Sequence, residues 1–145
     1  RTFHSRFKPP WIPTEGELCN ISAQTGLAKL LRRAKLILWD EAPMTNRFHL
    51  ESLDLTLRDL MKTVDPSLEH VPFGGKVVVL GGDFRQTLPI LKKGGRAQIV
   101  EASHTRSRLW KHFSQNVFHL TDNMRVEQAA ALDDTRRETL EQFAE

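Results

Sequence analysis

Two short aliphatic runs, each delivering polar residues at its end, constrain this chain more than any other feature. Leu36-Ile37-Leu38-Trp39 runs into Asp40-Glu41-Ala42-Pro43-Met44, and Lys76-Val77-Val78-Val79-Leu80 runs into Gly81-Gly82-Asp83-Phe84-Arg85-Gln86. Short, nearly uninterrupted aliphatic segments bounded by turn residues read as strands buried on both faces of a parallel sheet. Open parallel sheets collect their ligands in the crevice beyond the carboxyl ends of the strands. The two runs are therefore expected to pair in parallel within one sheet, with Asp40 and Gln86 at the same end.

The residue types at that end suit nucleotide chemistry. Mg²⁺ carried by a nucleoside triphosphate wants octahedral oxygen ligands and keeps several waters, so one nearby carboxylate can hold it indirectly. Asp40 is placed to do that. Glu41 can accept a proton from an attacking water or orient it. Gln86 is neutral and carries both donors and an acceptor, so it can touch a γ-phosphate and a water together. An Asp-Glu pair after a hydrophobic strand also occurs as a plain solvated turn. The second strand, with its own polar ending, favours the site reading because two independent features would otherwise have to mimic one site.

At these residues the chain resembles the Pif-type family of ATP-dependent 5′-to-3′ DNA helicases of superfamily one. Arg1-Thr2-Phe3-His4-Ser5-Arg6-Phe7 resembles motif Ia, and Trp39-Asp40-Glu41-Ala42-Pro43-Met44 resembles motif II. Pro72-Phe73-Gly74-Gly75-Lys76 leads into Gly82-Asp83-Phe84-Arg85-Gln86-Thr87-Leu88-Pro89, which is similar to motif III, and Leu120-Thr121-Asp122-Asn123-Met124-Arg125 resembles motif IV. The likeness spans nearly the whole chain, and the Asp40-Glu41-Ala42-Pro43-Met44 wording especially resembles the large eukaryotic Pif-like and Helitron-associated branch.

The resemblance implies an α/β, RecA-like P-loop NTPase sheet that uses ATP and Mg²⁺. Asp40 would be the Mg²⁺-associated carboxylate and Glu41 the catalytic base. Gln86 would sense the γ-phosphate, and Arg125 would face the transferred phosphoryl with a planar fork suited to its charged oxygens. Read without its motif, Arg125 is better taken as a surface partner of Asp122 or Glu127. His4 and Ser5 would donate hydrogen bonds to a single-strand backbone phosphate, with His4 as a simple loop residue the alternative. The implied partners are single-stranded DNA and DNA duplex junctions, in repair, recombination and telomere maintenance, with a nuclear or mitochondrial location. Two other readings stay open: the helicase module of a Helitron-type transposon protein, and an inactive remnant that keeps the fold.

One family feature is missing from these residues. No Gly-x-x-x-x-Gly-Lys-Ser/Thr occurs, although such a loop cradles the β- and γ-phosphates. Gly74-Gly75-Lys76 runs directly into a valine strand, whereas a phosphate loop must follow a strand and open a helix. In the family that loop precedes motif Ia, so residues 1–145 are expected to be part of a first RecA-like domain whose phosphate-loop strand is absent. Residues 132–145, with Leu140, Phe143 and Ala144 at helical spacing, lack a terminating cap. A second RecA-like domain is not expected to begin here.

The 145 residues, 39% of them hydrophobic, suffice for one compact domain. No apolar run approaches the roughly 18 residues of a membrane-spanning helix. Cys19 is the sole cysteine; it is expected to be buried and inert, and it fits a reducing compartment. The net charge of +3 is mild. Lys29, Arg32 and Arg33 lie on an expected helix from about Thr25, and Lys92, Lys93 and Arg96 lie in a glycine-broken loop. Either cluster can track phosphates or simply face solvent. Trp11 can stack on a base, whereas core packing suits Phe84.

The rest reads coarsely. Pro9, Pro10 and Pro13 keep the first stretch extended or turning. Leu27, Leu30, Leu31 and Ala34 should form the buried stripe of the first helix. Thr45 should cap a second helix with Phe48, Leu53, Leu57, Leu60 and Met61 inward, ended by Asp65-Pro66. Short helices over 97–104 and 107–113 and an edge-like strand over 116–120 should follow.

Overall fold

The computed structural model describes residues 2–83, 85–86, 88–91 and 94–125. Phe84, Lys92, Lys93, Glu127 and the expected helix over 132–145 lie outside the described residues. The chain divides into two units, Arg1–Gln115 and Asn116–Glu145. The first contains α1 (Phe3–Phe7), α2 (Gly26–Arg33), β1 (Leu36–Trp39), α3 (Arg47–Met61), β2 (Val77–Leu80) and α4 (Arg96–Glu101), with 3₁₀ turns between them.

β1 and β2 pair in parallel, with Leu36 opposite Val77 and Trp39 opposite Leu80. Side chains alternate across a strand, so Ile37, Trp39, Val78 and Leu80 turn to the core while Leu36, Leu38, Val77 and Val79 share the other face. That second face is exposed: Leu38 is 69% and Val77 60% accessible. The expectation of strands buried on both faces thus holds for one face only. Among the described residues these are the sheet's two strands, and no strand forms over 116–120, where Phe118 and Leu120 are exposed. β-propensity alone does not make a strand without a partner edge.

α3 organises the core. Leu50, Leu53, Leu57 and Leu60 recur at helical spacing and are essentially inaccessible. Phe48 and Met61 are only half-buried and Leu50 takes the inward place, a correction to the expected stripe. The cap also differs. Asn46 Oδ1 accepts the Phe48 N–H at 3.0 Å, while Thr45, one residue earlier, donates its hydroxyl to the Ala42 carbonyl at 2.9 Å. α2 begins where expected, with Thr25 Oγ1 accepting the Ala28 N–H at 3.2 Å. Its buried residues are Ala28 and Leu31, and Leu30 is 50% exposed. The stretch read as helices over 97–104 and 107–113 forms α4 and 3₁₀ turns at His104–Arg106 and Trp110–His112.

Polar contacts across long sequence distances lock these parts together. Cys19 is buried, its N–H bonded to Thr56 Oγ1 at 2.8 Å. Burial pushes its thiol up to about 11, so it stays protonated and unreactive. Arg32 donates to the Leu60 carbonyl, the Thr63 hydroxyl and the Ala23 carbonyl, which makes it a brace between α2 and α3 rather than a phosphate-tracking group. Lys76 Nζ donates to the Arg32 and Ala34 carbonyls at 3.0 and 2.8 Å, capping the C-terminus of α2.

Asp54 holds the turn that feeds β2. Phe73 sits at φ 53° inside Pro72–Gly75, a conformation that a bulky residue adopts only when its surroundings impose it. Its N–H donates to buried Asp54 Oδ1 at 2.6 Å, and Arg58 Nε donates to the same oxygen at 2.9 Å. Asp54→Ala should therefore destabilise the chain by about 3 kcal/mol, because it strands a buried N–H. Urea unfolding checks this, and a change below the scatter of surface variants would remove Asp54 from that role.

Candidate active site

The carboxyl ends of β1 and β2 are joined by hydrogen bonds beyond the ladder. The Gly81 N–H donates to the Trp39 carbonyl at 2.8 Å, and the Ala42 N–H donates to the Gly81 carbonyl at 3.0 Å. Asp40 and Glu41 therefore lie beside Gly81-Gly82-Asp83 at one end of the strand pair, as the spacing of the sequence implied. Both carboxylates are exposed.

Glu41 is held in the left-handed region at φ 53°, ψ 33°, which is uncommon for a residue with a Cβ and is stored strain. Its surroundings account for the conformation. Asp40 Oδ1 accepts the Glu41 N–H at 3.0 Å, Pro43 is buried, and Gly82 crosses closely over Pro43. A Cβ on Gly82, which has φ +140°, would overlap Pro43 Cδ and lie 3.0 Å from its Cγ. Only glycine allows this approach. The Asp40–Met44 loop and the Gly81–Asp83 loop are thus interlocked.

The Gln86 turn is anchored by Asp83, which sequence reasoning passed over. Asp83 Oδ1 accepts the Arg85 N–H at 2.8 Å and Arg85 Nε at 3.3 Å, and the Gln86 N–H donates to the Asp83 carbonyl at 3.2 Å. The Arg85 backbone N–H, then the guanidinium and the Gln86 side chain, hold the Asp83 carboxyl below its usual range. The signal was present as an Asx turn, an Asp whose side chain bonds backbone two residues on. Gln86 is exposed, five residues past Gly81.

His4 and Ser5 stand on α1, a single helical turn, not in a loop. Both are exposed. The Ser5 hydroxyl donates to the Thr2 carbonyl at 3.0 Å, so its proton is already engaged. The His4 ring meets Trp11 edge-on at 5.7 Å, and Trp11 is 86% exposed. Arg125 belongs to the second unit and is exposed. Among the described residues it forms no ion pair with Asp122, whose Oδ1 accepts the Thr121 hydroxyl. Among those residues no group of three metal-ligating side chains occurs; an ion held through water by one carboxylate needs none. A groove of about 540 Å³ lined by Arg47, Phe48, Leu91, Gln98 and Glu101 involves none of these residues.

Beneath the loop lies His104, wholly buried, whose Nε2 is 3.0 Å from Thr45 Oγ1. The Thr45 hydroxyl also reaches the Ala42 carbonyl. Burial lowers the His104 pKa to about 4, and burial lowers that of His49 as well. Above pH 6.5 both folded and unfolded chains carry neutral imidazole. As pH falls from about 6.5 to about 4, the unfolded chain takes a proton that folded His104 refuses, so stability is lost by about 3 kcal/mol across that window. Urea midpoints measured between pH 7 and pH 4 should show this fall, and His104→Gln should flatten it. A midpoint independent of pH would contradict the burial.

With this geometry established, comparison with known proteins is decisive. The family model of the PIF1-like helicases matches residues 1–145. The chain belongs to the PIF1-like helicase family. This PIF1-like chain is 34% identical over 92 residues to the ATP-dependent DNA helicase PIF4 of Trypanosoma brucei brucei, covering 60% of the chain and 11% of that protein. It is 31% identical over 113 residues to the ATP-dependent DNA helicase RRM3 of Saccharomyces cerevisiae, covering 78% and 14%. The Pif1 helicase from Bacteroides in complex with ADP-AlF3 and ssDNA superposes with a TM-score of 0.60 at 26% identity, over 74% of this chain and 25% of that one. The PIF1-like chain therefore spans a minor part of each relative, and its small parallel sheet with helices matches their RecA-like fold.

Proposed function

We propose that this chain is part of the first RecA-like domain of an ATP-dependent DNA helicase, which couples ATP hydrolysis to 5′-to-3′ movement along single-stranded DNA and to the opening of duplex junctions. One observation carries the reading: the interlocked Asp40–Met44 and Gly81–Asp83 loops at the carboxyl end of a parallel strand pair, where such folds place nucleotides. Asp40 offers the hard oxygen that a hydrated Mg²⁺ accepts, and the ion would supply charge neutralisation at the β- and γ-phosphates. Glu41, exposed and with its backbone held in the left-handed region, takes the proton of the attacking water. Gln86 contacts the γ-phosphate once it leaves Asp83, and Arg125 stabilises charge on the transferred group.

On the DNA side, His4 and Ser5 meet the backbone of the strand and Trp11 offers a ring on which a base stacks. Repair, recombination and telomere maintenance, in the nucleus or mitochondrion, are the settings we assign to this activity. The test is enzymatic. A polypeptide joining residues 1–145 to a phosphate-binding loop and a second motor domain should hydrolyse ATP faster with single-stranded DNA, whereas residues 1–145 alone should show no hydrolysis above background. Hydrolysis indifferent to DNA in the longer polypeptide would overturn the coupling, and DNA-stimulated hydrolysis by residues 1–145 alone would overturn the need for the loop.

A further inference from the structure

We infer that Phe3 is a positioning residue that connects the DNA-facing turn α1 to the Asp40–Glu41 loop through Trp39. The inference rests on the functional reading above, in which His4 and Ser5 meet the strand and Glu41 orients water. The Phe3 ring lies flat against the Trp39 indole, with centroids 3.8 Å apart and planes 7° from parallel. In sequence, Phe3 directly precedes His4 and Ser5, and Trp39 directly precedes Asp40 and Glu41. One ring contact therefore stands between the two candidate sites.

Trp39 is clamped on a second side. The His104 ring meets it edge-on, with centroids 5.7 Å apart at 71°, and His104 bonds Thr45, whose hydroxyl donates to the Ala42 carbonyl. A shift of the indole thus reaches the Glu41 loop from both ends, through the backbone at Asp40 and through Thr45 at Ala42. Between those points Glu41 is held at φ 53°. A strained conformation of this kind persists only because its surroundings hold it, so a push on the indole bears on Glu41.

α1 is able to deliver such a push. It is five residues long, too short to be stable by its own hydrogen bonds, so side-chain packing sets its place. Phe7 is its buried anchor, whereas Phe3 is half-buried and stacks on Trp39. A ring at that position does more than close the core: its plane transmits tilt to the indole, which an aliphatic chain does not.

The test uses ¹⁵N-labelled chain titrated with oligothymidylate. Wild type should show amide shifts at His4, Ser5 and Arg6 and, with the same midpoint, at Asp40, Glu41 and Ala42. Phe3→Leu and Phe3→Met should keep the first set and lose the second, and Phe3→Tyr should keep both. Well-dispersed amides in at least one of the two aliphatic variants identify a folded comparison. Shifts at Asp40–Ala42 that persist in a folded aliphatic variant overturn the role of Phe3 while leaving the DNA reading intact. Absence of shifts at His4–Arg6 in wild type overturns the DNA reading and the connection with it.

Discussion

Glu41→Gln should slow ATP turnover by about 10²–10⁴-fold, the usual contribution of a positioned general base, in a helicase polypeptide that combines this chain with a phosphate-binding loop. The glutamine matches the shape and hydrogen-bonding reach of the carboxylate and cannot take a proton. The backbone at residue 41 is set by Asp40, Pro43 and Gly82 rather than by its own side chain, so the exchange leaves the loop in place. Nucleotide affinity should accordingly stay within a few-fold of wild type, and the loss should fall on kcat, marking an interaction made in the transition state. Arg125→Ala should produce a loss at least as large, by about 10³–10⁵-fold, if its guanidinium meets the phosphoryl oxygens. Steady-state kinetics with a parallel binding measurement separates the terms. Unchanged kcat in either variant removes that residue from the chemistry.

Gly82→Ala should destabilise the chain by about 3 kcal/mol, combining a methyl group forced against Pro43 with a left-handed φ that alanine resists. The expected contrast is Gly26→Ala in the first turn of α2, where an added Cβ meets nothing within 4 Å and φ is ordinary; that change should be neutral or stabilising by about 0.5 kcal/mol. Denaturant unfolding of the two variants side by side provides the check. Equal midpoints would mean that the interlock between the two loops contributes nothing. In the longer polypeptide Gly82→Ala should also depress turnover, because the methyl group can be accommodated only by moving the Asp40–Met44 loop.

Much of the strand pair and its polar ends was legible in the residues. Runs as apolar as Leu36–Trp39 and Val77–Leu80 read as neighbouring parallel strands, and their pairing brings Asp40 and Gly81 side by side. The start of α2 at Thr25 and the burial of Cys19 were equally open to reading, since a capping hydroxyl and a lone apolar thiol act through their nearest neighbours. The motif wording around Trp39, Gly82 and Arg125 marked the family, which the comparison across residues 1–145 then established.

The tertiary structure decided what depends on partners far away in sequence. Thr45 has the chemistry of a helix cap, yet in the packed chain its hydroxyl meets the Ala42 carbonyl and His104, 59 residues on, and Asn46 provides the cap. Arg32 reads as a phosphate-tracking or solvated cation, and carbonyls of α3 and the Ala23 turn take it up, just as Lys76 finds the open carbonyls at the end of α2. Asp54 holds Phe73 across 19 positions, and no local pattern announces that bond. The left-handed turn at Glu41 arises because Gly82 and Pro43 meet at a strand end, and the outer sheet face stays exposed because alternation dictates which side a residue faces, not whether a helix arrives to cover it. Periodicity and capping are written into neighbouring residues, whereas the pairing of a polar group depends on which distant group the packed chain brings within 3 Å.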